Sequence, residues 1–152
     1  MDVVAYDVPA WGIGELYFRR GKLLYHELPS AGSPPAESAV HPLADRMLAY
    51  FRGERVSFED VELDAEWGTP FQQALAEALR AVPWGEVVTY GELAALAGRP
   101  RAPRAAGTFC AENNFPLVVP CHRVVSSAGL GSYGSLGVEY KRRLLALEGV
   151  AL

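Results

Sequence analysis

Tyr90-Gly91-Glu92-Leu93-Ala94-Ala95-Leu96-Ala97-Gly98 and Pro103-Arg104-Ala105-Ala106-Gly107-Thr108-Phe109-Cys110-Ala111-Glu112 lie one short Arg- and Pro-bearing link apart. The first segment is predicted as a helix of about two turns over 90–97, stopped by Gly98, a residue free to take left-handed backbone. The second is predicted as a helix over 104–112, with Pro103 suited to its first turn. Two short helices joined by a tight, Gly-containing turn have the outline of a helix-turn-helix. Ala105, Ala106, Gly107 and Ala111 are small enough to let the second backbone come close to another helix or to a DNA groove. The pattern alone leaves both open.

Upstream, Thr69-Pro70 pairs an N-cap with a proline at the first helical position, and Phe71, Leu75, Leu79 and Val82 then line one face of a helix. Trp84-Gly85 marks a turn, and 86–89 is a short extended piece. Downstream, Asn113-Asn114-Phe115-Pro116 breaks the second helix, and 117–119 is predicted as a short apolar strand running into Pro120-Cys121-His122-Arg123-Val124-Val125. Gly129, Gly131, Gly134 and Gly137 make a pliable loop, and 138–147 forms a last helix with Glu148 at its C-terminal end.

The first half has a different texture. Segments 14–20 and 22–28, rich in Leu, Tyr and Phe, read as a hairpin closed by Arg20-Gly21. Segment 29–38 is a Pro-, Gly- and Ser-bearing loop. Val40, Leu43, Met47, Leu48 and Phe51 recur at helical spacing until Gly53, and 56–63 alternates as a further strand would. His26 and His41, on a strand and at a helix start, read as surface or capping residues. The acidic stretch 60–66 connects to the second half. The expected architecture is α/β: residues 1–66 as a small N-terminal sheet-plus-helix lobe, and residues 67–152 as a mostly helical C-terminal lobe carrying the helix-turn-helix.

Composition narrows the function. With 152 residues, 50% hydrophobic and 21% charged, the chain has the makings of a packed core, and a disordered or fibrous class is excluded. No apolar run reaches the ~18 residues a spanning helix needs, and Met1-Asp2 does not begin a secretory signal, so a soluble cytoplasmic protein is expected. Two cysteines and three scattered histidines offer no metal-ligand spacing. The net charge of −4 conceals an asymmetry: through Val82 there are 7 basic against 13 acidic residues, and beyond it 7 against 5. Arg99, Arg101 and Arg104 fall together with no acid among them, which makes a local basic spot.

Cys121 is the residue most suited to chemistry. A cysteine acts as a nucleophile through its thiolate, which a neighbouring histidine favours by lowering the pKa. His122 is adjacent, and a bend at Pro120 or a bridging water is needed to bring the two into contact. Glu148 is a carboxylate that can orient His122 and complete a Cys-His-acid arrangement. In isolation a Cys-His pair is more often a core feature than a catalytic one, and Cys110, in a helix with no basic neighbour, is read as core.

Pro120-Cys121-His122-Arg123-Val124-Val125, preceded by an apolar segment and Asn113, resembles the active-site signature of the O6-alkylguanine-DNA alkyltransferases, also called methylated-DNA-protein-cysteine methyltransferases. The stretch 71–98, including Trp84-Gly85-Glu86-Val87-Val88-Thr89-Tyr90, and the ending Leu144-Leu145-Ala146-Leu147-Glu148-Gly149 are similar to the same family. The resemblance implies DNA repair by stoichiometric, irreversible transfer of an alkyl group from O6-alkylguanine to Cys121. His122 would act as base through water, Glu148 would orient it, and Asn113 would hold the turn. Tyr90 would donate to the leaving base. A duplex base must be flipped out first, with Arg104 filling the gap. Arg101, Ala105, Gly107 and Thr89 would contact DNA, and Val124, Tyr133, Ser135 and Lys141 would shape the substrate pocket. The implied partner is double-stranded DNA met by a monomer, with no membrane, no cofactor and no metal.

Three departures from the family pattern carry expectations. Asn113-Asn114 replaces the usual Asn-Pro, leaving the turn less rigid; Thr108 and Phe109 are bulky for a groove-facing helix; and Gly134-Ser135-Leu136-Gly137 replaces a glycine run, altering which lesions fit. Three rival readings remain distinguishable. A damage sensor lacking the nucleophile is opposed by Cys121, a Cys-His hydrolase would turn over repeatedly, and a helix-turn-helix regulator would show a more basic second helix.

Overall fold

A computed structural model describes residues 1–152, which divide into two compact units: Met1–Ala65 with Asn114–Pro116, and Glu66–Asn113 with Leu117–Leu152. The first unit is a three-stranded antiparallel sheet, β1 (Asp2–Val8), β2 (Gly12–Arg19) and β3 (Lys22–Ser30), in the order β1-β2-β3, with helix α1 (Pro42–Phe51). The β2–β3 turn is the expected Arg20-Gly21 pair, both with positive φ, which matches the twist of a two-residue hairpin. Strand β1 had no counterpart in the sequence reading.

Alternation along the strands buries Val4, Tyr6 and Val8 from β1 and Leu16 and Phe18 from β2, against Leu43, Met47, Tyr50 and Phe51 of α1. In β3 the alternation slips. Phe18 pairs with Leu23 and Tyr17 with Tyr25, so Leu24 is an extra residue, a bulge that changes which face the rest of the strand presents. His26 therefore points inward at 1% exposure, and Tyr25 outward. This corrects the expectation that His26 is a surface or capping residue. His41 does cap α1, its Nδ1 accepting from the Leu43 amide. Val40, expected on the buried helical face, precedes the helix and is 97% exposed. The alternating segment 56–63 is not a strand: only Leu63 bridges, to Leu23, and a turn at Phe58–Val61 occupies its centre.

In the second unit, α2 (Pro70–Arg80) starts as expected, the Thr69 hydroxyl accepting from the Gln72 amide. Strand β4 (Val88–Thr89) leads into α3 (Tyr90–Leu96), and α4 (Pro103–Ala111) follows, the two helices packing together as the helix-turn-helix. Thr89 and Glu92 form a capping box at the start of α3. Parallel to β4 runs β5 (Val124–Val125), and α5 (Val138–Leu147) closes the unit. The expected strand at 117–119 is instead a turn, because Leu117 takes a φ of 71°, incompatible with extended backbone. No helix is long and apolar enough to cross a membrane.

Candidate active site

Cys121 opens a 3-10 turn, Cys121–Arg123, that lies between Pro120 and β5. At about three residues per turn, this turn sends Cys121, His122 and Arg123 in three directions, and all three are buried. The bend at Pro120 is thus real, although the thiol sits at the start of a turn rather than at the end of a strand.

The Asn113 amide nitrogen lies 3.2 Å from Cys121 Sγ and donates a second hydrogen bond to the Val119 carbonyl at 2.8 Å. Burial pushes the Cys121 thiol above its ordinary pKa, while the Asn113 amide, the Lys141 charge and the Tyr133 hydroxyl pull against it. The resting thiol is therefore protonated at neutral pH, contrary to a simple lowering by His122, and needs a base at the moment of reaction. Lys141 is fully buried and donates to the carbonyls of Val124 at 2.5 Å and Ser132 at 3.3 Å. Burial lowers its pKa as well.

His122 Nε2 and Glu148 Oε2 are 2.5 Å apart. The other carboxylate oxygen accepts from Arg123 Nε at 2.8 Å and from the Gly85 amide at 3.3 Å, and Arg123 also donates to the Val82 carbonyl. Burial would raise the Glu148 pKa, but the hydrogen bonds and charges of His122 and Arg123 outweigh it and bring the value down to about 2. Burial lowers His122 despite the opposing pull of Glu148. Glu148 is then an anion paired with Arg123, and His122 is a neutral ring donating from Nε2. Its lone pair is left on Nδ1, the tautomer a proton acceptor requires.

Tyr90, at the first position of α3, is half-buried against two glycines. A Cβ on Gly107 would lie 3.8 Å from its ring, and one on Gly131 would lie 3.1 Å from its hydroxyl. Burial raises the Tyr90 pKa, so it keeps its proton and serves as a donor. Lys141 Nζ stands 5.9 Å from the centre of the same ring. Thiol, base, ammonium and phenol thus share one neighbourhood, suited to nucleophilic attack with proton donation to a leaving group.

Residues 70–150 match the family described as 6-O-methylguanine DNA methyltransferase, DNA binding domain. The chain belongs to this family. It is 44% identical over 124 residues to the methylated-DNA–protein-cysteine methyltransferase of Methanopyrus kandleri, covering 80% of this chain and 92% of that one. The Mycobacterium tuberculosis O6-methylguanine methyltransferase crystal structure superposes with a TM-score of 0.82 at 34% identity, covering 97% of this chain and 92% of that one. The methyltransferase of Pyrococcus kodakaraensis gives 0.75 at 28% identity, with 98% and 99% coverage.

The remaining residues expected from the methyltransferase resemblance fall into two groups. Tyr90, Arg104, Gly107 and Thr108 line an open cleft of about 640 Å³, together with Gly131 and Ser132, which were not among the expected residues. Arg101 and Ala105 are exposed on the neighbouring surface. Others are committed elsewhere: the Thr89 hydroxyl caps α3, the Val124 side chain is fully buried, and Ser135 is exposed in a 3-10 turn, Gly134–Leu136. Ala106, expected to line the groove-facing side of α4, is fully buried. Phe109 is also buried, its ring 5.3 Å from Trp67, so its bulk does not stand in the way of a groove. Burial pushes the Cys110 thiol up to about 12, in keeping with a core residue.

The sequence reading missed Arg123, Gly131 and Ser132. Arg123 carried a usable signal: a positive charge directly after a buried Cys-His pair requires a buried anion, and Glu148 was already the candidate.

Proposed function

We propose that this chain repairs DNA by taking the alkyl group of O6-alkylguanine onto Cys121, once per molecule. The hydrogen-bonded arrangement of Glu148 and His122 beside the buried thiol carries the reading. A water passes the Cys121 proton to His122 Nδ1, the sulfur attacks the alkyl carbon in line, and the carbon–O6 bond breaks with its electron pair going to guanine. Tyr90 donates to the leaving base, where negative charge builds. Buried Lys141 holds a positive charge near the developing thiolate. The product is S-alkylcysteine, a thioether that does not leave, and an unmodified guanine.

In this reading the nucleotide enters the Tyr90–Arg104–Gly131 cleft after rotating out of the duplex. Arg104 occupies the vacated space in the stack, while Ala105, Gly107 and Thr108 face a minor groove whose degenerate code leaves sequence unread. Arg101 and the α3 end at Thr89 lie against the phosphates. Tyr133 acts on the thiol, and Ser135 on the loop that covers the alkyl group. The protein works as a monomer, and its need for a reduced thiol favours the cytoplasm.

Intact mass measured after mixing with a duplex carrying one O6-methylguanine tests the proposal. One added methyl is expected in the unsubstituted protein and in Cys110→Ser, and none in Cys121→Ser. Preferential binding of the lesion duplex without mass gain would instead make the chain a damage sensor.

A further inference from the structure

The Asn113 side-chain amide donates to Cys121 Sγ, so whatever fixes Asn113 also bears on the thiol. The chain passes from the second unit to the first at the peptide bond between Asn113 and Asn114, and returns after Pro116. Within the first unit, those three residues are gripped by His26. Its backbone amide donates to the Asn114 carbonyl at 2.9 Å, and its ring Nδ1 lies 2.6 Å from the Pro116 carbonyl. The other ring nitrogen, Nε2, lies 2.5 Å from the Tyr6 hydroxyl.

Chemistry fixes the direction of each bond. A carbonyl oxygen only accepts, so Nδ1 carries the ring proton and donates to Pro116; Nε2 therefore accepts from the Tyr6 hydroxyl. Burial lowers the His26 pKa to about 4, in agreement with a neutral ring at physiological pH. Every polar atom of His26 is used, and a neutral imidazole bonded on both sides has one orientation. His26 would be an expensive choice for filling a core, where a leucine packs as well and needs no partners. Its hydrogen bonds are spent on a three-residue excursion that has no regular secondary structure to hold it.

We propose that His26 and Tyr6 are positioning residues for the nucleophile: by clamping Asn114–Pro116 they fix the place of Asn113, and through it the hydrogen bond to Cys121. The inference rests on the reading of Cys121 as the nucleophile. Neither residue touches the reacting atoms, and both act through Asn113. The charged and titratable groups that face the thiol directly are Lys141, Tyr133 and Cys110, with Tyr90 beside them, and none of these is altered by changes at His26 or Tyr6.

The test reads the thiol without DNA. In a Cys110→Ser background, the rate of Cys121 carboxamidomethylation by iodoacetamide is followed by intact mass from pH 6 to 11. His26→Leu is expected to move the midpoint upward by about half a unit to one unit, since the donor favouring the thiolate is loosened. His26→Asn, whose amide can still donate towards Pro116, is expected to restore most of the original profile. Asn113→Ala should raise the midpoint alone, and His26→Leu should add nothing to it. Tyr6→Phe, which removes one hydroxyl and no packing, is expected to shift in the same direction and serves if His26→Leu does not fold. An unchanged midpoint in the His26 and Tyr6 variants overturns the proposal, as does a His26→Leu shift that persists undiminished in Asn113→Ala. Failure of methyl transfer by the unsubstituted protein would count against the repair reading and would leave this profile intact as a separate result.

Discussion

Glu148 accepts from three donors, and a glutamine there can satisfy only some of them. In Glu148→Gln the new NH2 must face either Arg123 or the His122 N–H, donor against donor, and His122 escapes by moving its proton to Nδ1. That tautomer cannot accept from the thiol, so single-turnover transfer should fall at least about a hundredfold while lesion-duplex binding is retained. Rapid-quench rates beside gel-shift titrations check this, and unchanged rates would remove Glu148 from the mechanism. The same variant leaves the buried Arg123 without its counter-charge, costing about 3 kcal/mol of stability, visible as a lower thermal midpoint. Gly131 is a second sensitive residue. Its φ of +79° strains any residue with a side chain, and an added Cβ would meet the Tyr90 hydroxyl. Gly131→Ala should cost about 1 kcal/mol or more and slow transfer by displacing the phenol; a wild-type rate would mean that Tyr90 does not contact the leaving base.

At the level of elements, α4 has two faces that do different jobs: Ala106 and Phe109 pack inward, and Arg104 and Gly107 open onto the cleft. Arg104→Ala should therefore weaken reaction with a paired lesion more than with free O6-methylguanine base, because only the paired base has to be flipped. Equal losses on both substrates would reduce Arg104 to a surface charge. Thr89→Ala should cost about 1 kcal/mol through its lost cap, read from thermal midpoints. The helices were legible in the sequence because a cap, a proline at the first position and a repeating apolar face are local signals, as at Thr69-Pro70. So were Cys121, His122 and Glu148, whose adjacency and whose place at a helix end are carried by the chain itself. What escaped depended on pairing. The bulge at Leu24 is decided by how β3 aligns with β2, and without it strict alternation puts His26 outside. Segment 56–63 alternates as a strand should but makes only a single bridge, and the left-handed Leu117 follows from tertiary packing that no local pattern announces. Ala106 and Phe109 likewise could be sorted from Arg104 only once the partners of α4 were known.

Taken whole, the molecule keeps three titratable groups buried in states that acid undoes. His26 and His122 are held neutral by burial, so on unfolding at acid pH each takes up a proton that the folded state refuses. With the folded His26 pKa at about 4 and the unfolded one at 6.5, stability is full above pH 6.5 and declines as pH falls towards 4. The slope from one such group is about 1.4 kcal/mol per pH unit. Glu148 follows lower down: its carboxylate is favoured by His122 and Arg123, and the stability it brings is present above pH 4.5 and lost as pH falls towards about 2. The thermal midpoint should accordingly begin to drop near pH 6.5, well before surface carboxylates titrate. His26→Asn has nothing to protonate there, so its midpoint should fall less steeply between pH 6.5 and 4 and rejoin the wild-type slope below, where Glu148 governs both. Calorimetric midpoints from pH 8 to 3 decide the matter. Parallel curves for the two proteins would mean that His26 is charged or solvated in the native state, contrary to its place between Tyr6 and Pro116.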